Sequence, residues 1–153
     1  MADEKWRDFE TRIKTDLSLF SDVVVTRIPS HVEKGRGGFF RKKTDCDFAA
    51  SVDGKAVFFD AKACGEHRFN IQSLILREKK IHQYEFLKRA DGAGAIAGYL
   101  IWFYNHGKVM WVHVTMIDAM LEMEDKSIHL MTEGVTTQND DRVIIMKELI
   151  WGK

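Results

Sequence analysis

Apolar residues recur at spacings of three and four through Trp6, Phe9, Ile13, Leu17 and Phe20, the stripe of an amphipathic helix. Glu10 falls at the margin of that stripe, roughly 40° from Trp6 at about 100° per residue, so its carboxylate points partly toward the core side. Asp22-Val23-Val24-Val25-Thr26-Arg27-Ile28 is rich in β-branched residues and predicts a strand, which Pro29, the only proline, ends. Glu33-Lys34-Gly35-Arg36-Gly37-Gly38 reads as a mobile loop and leads into Phe39-Phe40-Arg41-Lys42-Lys43. Two strands are expected over Thr44–Ser51 and Lys55–Lys62. After a less regular stretch come a helix over about Glu78–Ala90 and an apolar strand over Ala95–Tyr104. The turn Asn105-His106-Gly107-Lys108 then leads to a strand over Val109–Val114. A short helix over Met116–Met123 and a last strand over Arg142–Met146 complete the pattern. The order helix, three strands, helix, two strands predicts a mixed α/β domain, its central sheet flanked by helices.

The 153 residues suit a single domain over 1–153, with the segment at about 30–43 as its flexible loop. With 45% hydrophobic and 30% charged residues the composition is that of a soluble globular chain, and no apolar run approaches the ~18 residues of a membrane span. Met1 to Glu10 is too polar for a signal peptide. Cys46 and Cys64 match no zinc spacing and are expected as free thiols in a reducing cytoplasm. The net charge is zero, but residues 1–90 carry 18 basic against 14 acidic residues, and residues 91–153 carry 5 against 9. The glycines at 35–38 lack the Lys-Ser/Thr of a phosphate-binding loop, which argues against a nucleotide cofactor.

Val52-Asp53-Gly54-Lys55 is the most informative local signal. Asp-Gly between two alternating runs favours a two-residue type I′ turn, which sets the register of the hairpin. Val52 then faces Lys55, Asp47 faces Asp60, and Asp45 faces Lys62. Alternation puts all four polar side chains on one face. Opposed Cβ atoms sit about 4.5–5.5 Å apart, where two carboxylates repel unless a shared proton or a cation offsets them. Phe58-Phe59 makes the second strand apolar on both faces and hence central, so an uncompensated acidic pair there is costly. Oxygen donors meeting at one point suit Mg²⁺ or Mn²⁺, and Lys62 adds positive charge where a phosphate could sit.

Asp47 followed after twelve residues by Asp60-Ala61-Lys62 resembles the signature of the PD-(D/E)XK nucleases. The surroundings resemble one branch of that superfamily, the RecU-type Holliday junction resolvases. Thr26-Arg27-Ile28-Pro29 is similar to the segment that ends the family's first strand, and Gly38-Phe39-Phe40-Arg41-Lys42-Lys43 to its Phe-rich approach. Asp45-Cys46-Asp47-Phe48, Phe59-Asp60-Ala61-Lys62, His82-Gln83-Tyr84-Glu85 and Asp91-Gly92 resemble further family motifs in the same order. The resemblance implies a restriction-endonuclease-like core and an intracellular, homodimeric, Mg²⁺-dependent DNA endonuclease (Mn²⁺ as the substitute) that cuts four-way junctions in recombination and repair. It further implies that Asp47, Asp60 and the Ala61 carbonyl hold the metal, with Glu10 completing the site. Lys62 would orient or help deprotonate the attacking water and stabilise the transition state. Gln83 would support the lysine or the water, with Gln72 as its substitute. The chain departs from the family where only Ser30 to Cys46 separates Pro29 from Asp47, shorter than the family's stalk.

Arg36, Arg41, Lys42 and Lys43 form one candidate phosphate-binding cluster, and Arg68, Arg77, Lys79 and Lys80 a second. His67 and His82 are weaker metal candidates, because hard oxygen sites suit this chemistry better. Trp102, Trp111 and Trp151, with Phe103 and Tyr104, are expected in the core or on a dimer surface. Two other functions fit the same residues: a nuclease of this fold without junction preference, and a DNA-binding recombination accessory without catalysis.

Overall fold

The computed structural model describes residues 2–28, 31–35, 38–42, 46–76 and 78–152. Helix α1, Ala2–Leu17, buries Phe9, Ile13 and Leu17 completely, as the stripe predicts, and stops before Phe20. Strand β1 is Val23–Arg27. The next segment departs from expectation: of the loop expected over 33–38, residues 33–35 belong to β2, His31–Gly35, and residue 38 to β3, Gly38–Lys42, while 36 and 37 lie outside the described residues. Gly35 pairs with Gly38 in a two-stranded sheet separate from the main one.

Strands β4, Phe48–Val52, and β5, Lys55–Cys64, meet at Asp53 and Gly54. Both turn residues have positive φ, 50° and 78°, as a type I′ turn requires. The observed pairs run from Val52↔Lys55 to Phe48↔Phe59, which is the register expected from the sequence. Beyond β5 lie β6, Arg68–Asn70, a 3₁₀ turn over Ile71–Leu74, and α2, Glu78–Gly92. Strand β7, Ile96–Phe103, pairs parallel to β5, with Asp60 beside Tyr99 and Lys62 beside Ile101. Strand β8, Lys108–His113, returns antiparallel, and α3, Val114–Met120, follows. The short β9, Ser127–His129, pairs with β6.

Strand β10, Thr136–Asn139, lies outermost against β8, and sequence reading missed it. Its residues Thr-Thr-Gln-Asn carry no apolar alternation to betray a strand. The strand expected over Arg142–Met146 does not form. Side chains occupy its backbone groups instead: Gln138 accepts from Ile145 N at 3.1 Å and donates to Val143 O, while Asp16 accepts from Ile144 N at 3.0 Å. Met146 begins α4, Met146–Trp151, and Gly152 closes it in the left-handed region.

Among the described residues the main sheet has six strands, in the order β1-β4-β5-β7-β8-β10. One core lies between the sheet and α1 with α4, and includes Phe48, Val57, Phe59, Ala61, Leu100 and Trp111. The other lies under α2 and α3, and includes Tyr84, Leu87, Tyr99, Ile101 and Val112. Strand β5 is central and feeds both, Phe59 stacking on Phe48 at 5.1 Å and Phe58 meeting Phe86 of α2 edge-on at 5.5 Å. Phe103 and Trp111 are buried and Trp102 packs on Phe9 at 5.6 Å, as expected of a core, whereas Trp151 at the end of α4 is 38% exposed.

Candidate active site

The ladder between β4 and β5 ends at Phe48↔Phe59, one pair short of Asp47 and Asp60. Continuing the register puts the two aspartates opposite each other, and the structure uses them to bond across the gap. Asp47 N donates to Asp60 Oδ1 and Ala61 N donates to Asp47 Oδ2, each at 3.0 Å. The Asp47 carbonyl accepts from Ile28 N at 2.8 Å, which ties the segment to β1 as well. Asp60 is wholly buried and Asp47 is 6% exposed. Lys62, two residues along β5 on the same face as Asp60, brings Nζ to 2.6 Å from Asp60 Oδ2. Asp45, expected opposite Lys62, lies outside the described residues.

Burial and the charge of Asp60 push the Asp47 carboxyl well above the usual aspartate range, against the Ala61 N–H and Lys62, which lower it. Burial by itself would lower the Lys62 ammonium, but the charges of Asp60, Asp47 and Glu10 outweigh it, and the group is raised. Lys62 therefore holds its proton firmly while its acidic neighbours stay close.

Glu10 reaches this site from α1. Its Oε1 accepts from Arg27 Nε at 3.0 Å, and burial raises its carboxyl despite that partner. Arg27 also lies over the Phe48 ring, 5.8 Å from its centre. Three buried oxygens lack a hydrogen bond among the described residues: Glu10 Oε2, Asp60 Oδ2 and Tyr99 Oη. Asp60 Oδ2 has its ion pair with Lys62 without hydrogen-bond geometry. Tyr99, beside Asp60 on β7, is raised by burial and then by the Asp60 charge.

These oxygens are the test of a metal. Glu10 Oε2 and Asp60 Oδ2 are buried acceptors with capacity left over, and hard oxygen donors few in number match a Mg²⁺-type site that keeps water and phosphate in its remaining positions. The donor set fits such an ion. The cage is not assembled beforehand: among the described residues no three His, Cys, Asp or Glu side chains converge as a metal cluster. Asp47 is bonded to β5, Asp60 to Lys62 and Glu10 to Arg27, so binding a cation means exchanging those partners. Strand geometry turns the N–H and C=O of one residue to the same side. The Ala61 carbonyl therefore faces the gap beyond β4, where Trp6 Nε1 donates to it at 3.1 Å.

Gln83 is buried on α2, which packs on the same side of the sheet as Asp60 and Lys62. Gln72 is exposed, its backbone N–H donating to the Asn70 side chain at 3.0 Å. Arg68 faces Asp125 at 3.6 Å, Lys80 is half-buried on α2, and His67 meets His106 rather than the acidic residues. Arg36, Lys43 and Arg77 lie outside the described residues, as do the side chains of Arg41, Lys42 and Lys79. Sequence reading missed Arg27 and Trp6 as contacts of the site. Arg27 closes β1 and Trp6 belongs to the α1 stripe, and neither place reveals a polar role.

The sequence matches Recombination protein U over residues 16–145, most of the chain. The chain belongs to the RecU family. It is a recombination protein, and the helices packed on its mixed sheet agree with that membership. Among solved structures it is similar to Hjc, a Holliday junction resolvase from the archaeal hyperthermophile Archaeoglobus fulgidus. The TM-score is 0.53 at 17% identity, covering 81% of this chain and 88% of that one. At this identity the likeness establishes the fold that the two share. No curated protein matches the sequence. Among the described residues of this RecU-family chain, no helix is long and apolar enough to cross a membrane.

Proposed function

We propose that this member of the RecU family is a metal-dependent endonuclease that resolves Holliday junctions by phosphodiester hydrolysis, acting as a homodimer. The observation that carries the proposal is the crossed pairing of Asp47 and Asp60 at the open end of the β4–β5 ladder, with Lys62 against them. A protein that only needed a stable sheet would gain nothing from two opposed buried carboxylates.

Asp47, Asp60 and the Ala61 carbonyl would hold the ion, and Glu10 would join them after leaving Arg27. When bound, Mg²⁺ or Mn²⁺ supplies positive charge against the scissile phosphate and favours deprotonated water. Lys62 keeps its proton at Nζ in the present arrangement. Its part would be to orient or help deprotonate the attacking water and to present charge to the phosphate as negative charge grows in the transition state. Gln83, on the same side of the sheet, would orient Lys62 or the attacking water. Arg27 lies over the Phe48 ring and would stay beside the site if Glu10 left it for the ion. Arg36, Arg41, Lys42, Lys43, Arg68, Lys79 and Lys80 would hold the flanking phosphates, Arg68 after leaving Asp125. Two symmetric cuts across a four-way junction suit a two-fold dimer.

A second reading keeps the chemistry and drops the junction preference. The short segment between β1 and β4 favours it, since only β2 and β3 stand there among the described residues. The test is cleavage of a labelled four-way junction beside linear duplex and single strand, with Mg²⁺ and then with EDTA. Symmetric nicks in the junction alone, abolished by EDTA and by Asp60→Asn, support the resolvase. Equal cutting of all substrates leaves the nuclease and removes the junction preference. Tight junction binding with no cutting under Mg²⁺ or Mn²⁺ would assign the chain to the accessory class.

A further inference from the structure

A groove of about 500 Å³ lies between α3 and the segment that carries β9, apart from the acidic site. Met116, Met120, Met123 and Met131 line it, four of the seven methionines of the chain. Met120 is 6% exposed and belongs to the core, whereas Met123 and Met131 are 58% and 86% exposed. Large apolar side chains gathered this openly mark an interaction surface on a soluble protein. Methionine suits one, because its unbranched thioether repacks around different partners at small cost.

The walls are held in place. Strand β9 pairs with β6, Thr132 Oγ1 accepts from His129 N at 2.9 Å, and His129 Nδ1 accepts from Met131 N at 3.2 Å. The exposed methionines thus sit on a fixed rim.

Acidic residues outnumber basic ones around the groove: Asp125 and Glu133 line it beside His129, and Glu122 and Glu124 flank Met123 in the sequence. Between 122 and 133 stand Glu122, Glu124, Asp125 and Glu133 against the single cation Lys126, which turns Nζ to the Met123 carbonyl at 2.6 Å. Asp125 faces Arg68, but among the described residues no cation pairs with Glu122, Glu124 or Glu133. A phosphate backbone is repelled here, and a cationic segment is attracted. We infer that the methionine groove docks an amphipathic, basic helix of a partner protein, with apolar anchors seated on the four methionines and Lys or Arg side chains meeting the acidic rim. Such helix-in-groove recognition uses anchors on one helix face. The groove shares no residue with Asp47, Asp60 or Lys62, so this assignment stands independently of the nuclease reading.

The test uses the full chain with methyl-labelled methionine and two synthetic 14-residue amphipathic helices, one of Leu and Lys, the other of Leu and Glu. The Leu/Lys peptide is expected to shift the methyl resonances of Met116, Met120, Met123 and Met131 and to leave those of Met110 and Met146 in place. The Leu/Glu peptide should shift none of them. Met123→Glu with Met131→Glu, both at exposed positions, should weaken the Leu/Lys peptide at least tenfold by calorimetry, while Met131→Leu preserves binding. Glu122→Gln with Glu124→Gln and Glu133→Gln should weaken it several-fold and flatten its salt dependence. Equal binding of both peptides, or shifts at Met110 and Met146 instead, would overturn the assignment. So would a dimer in sedimentation that Met123→Glu with Met131→Glu dissociates, since a second copy would then be the occupant.

Discussion

At its turn, the β4–β5 hairpin closes through Asp53 and Gly54, and the strands then pair residue by residue as far as Phe48 and Phe59, whose rings stack at 5.1 Å. At the other end the same two strands, in the same register, bring Asp47 and Asp60 together. There the backbone ladder gives way to carboxylates that accept from the opposite strand's N–H groups. From the turn the strands pair backbone to backbone, and Asp53 N donates to Asp22 O at 2.9 Å. The open end buries charge, raises the Asp47 and Lys62 groups, and leaves Asp60 Oδ2 without a hydrogen bond. One end is closed by backbone pairing, and the other gathers buried carboxylates beside a lysine, the arrangement on which the proposed cation site rests.

The largest expected effect is at the open end. Asp60→Asn keeps the side-chain shape but removes the charge. It should lower junction cleavage by about 10³-fold or more, comparable to deleting a principal electrostatic element of an active site, and abolish Mn²⁺ binding in calorimetry. Retained activity would remove Asp60 from the catalytic site. Lys62→Met should come next, a loss of cleavage of about 10²-fold with the calorimetric metal affinity retained. Loss of both together would make Lys62 a structural support of the carboxylates instead.

The pH dependence follows from the raised carboxyl of Asp47, which the Glu10 carboxyl shares in direction. A carboxyl raised by folding binds its proton more tightly in the native state than in the unfolded one. Its contribution is favourable below the unfolded value and is lost as pH rises through the folded value. Metal-free protein should therefore lose stability as pH climbs from about 4 toward the alkaline side, and added Mn²⁺ should restore it. Thermal melts across that range, with and without Mn²⁺, measure the two curves. A metal-free curve that rises with pH over this interval would reverse the sign assigned to Asp47. Mn²⁺ affinity should increase over the same interval, because protons and metal compete for one carboxylate.

Smaller effects separate the two ends. Trp6→Phe removes the donor to the Ala61 carbonyl while keeping a ring, and should cost about 1 kcal/mol of stability together with a several-fold weaker Mn²⁺ affinity. Unchanged metal affinity would remove Trp6 from the site. Gly54→Ala strains a residue at φ 78° and should cost about 1 kcal/mol in denaturant unfolding, with no change in cleavage per folded molecule. A change in cleavage there would show that the two ends are mechanically coupled.

What could be read from the residues in order was local or nearly so. The stripe of α1 is a helical repeat of side chains within one element, and the Asp53-Gly54 turn dictates its register through backbone conformations that few residues tolerate. Once that register is set, period-two alternation alone puts Asp47, Asp60 and Lys62 together, which is why the meeting of these three side chains was legible in the sequence. The β2–β3 hairpin was not, because its glycines are equally compatible with a loop, and the ladder that decides between them is a pairing of separated residues. Strand β10 and the non-strand at 142–145 were decided by tertiary competition. The polar Thr136–Asn139 finds the edge of β8, and the apolar 143–145 has its backbone claimed by Gln138 and Asp16. The partners of the site residues belong to the same class. That Trp6 would hold the Ala61 carbonyl and Arg27 the Glu10 carboxylate depends on how α1 crosses the sheet. Sequence determines which groups each strand and helix can present; packing the elements against one another decides which groups meet.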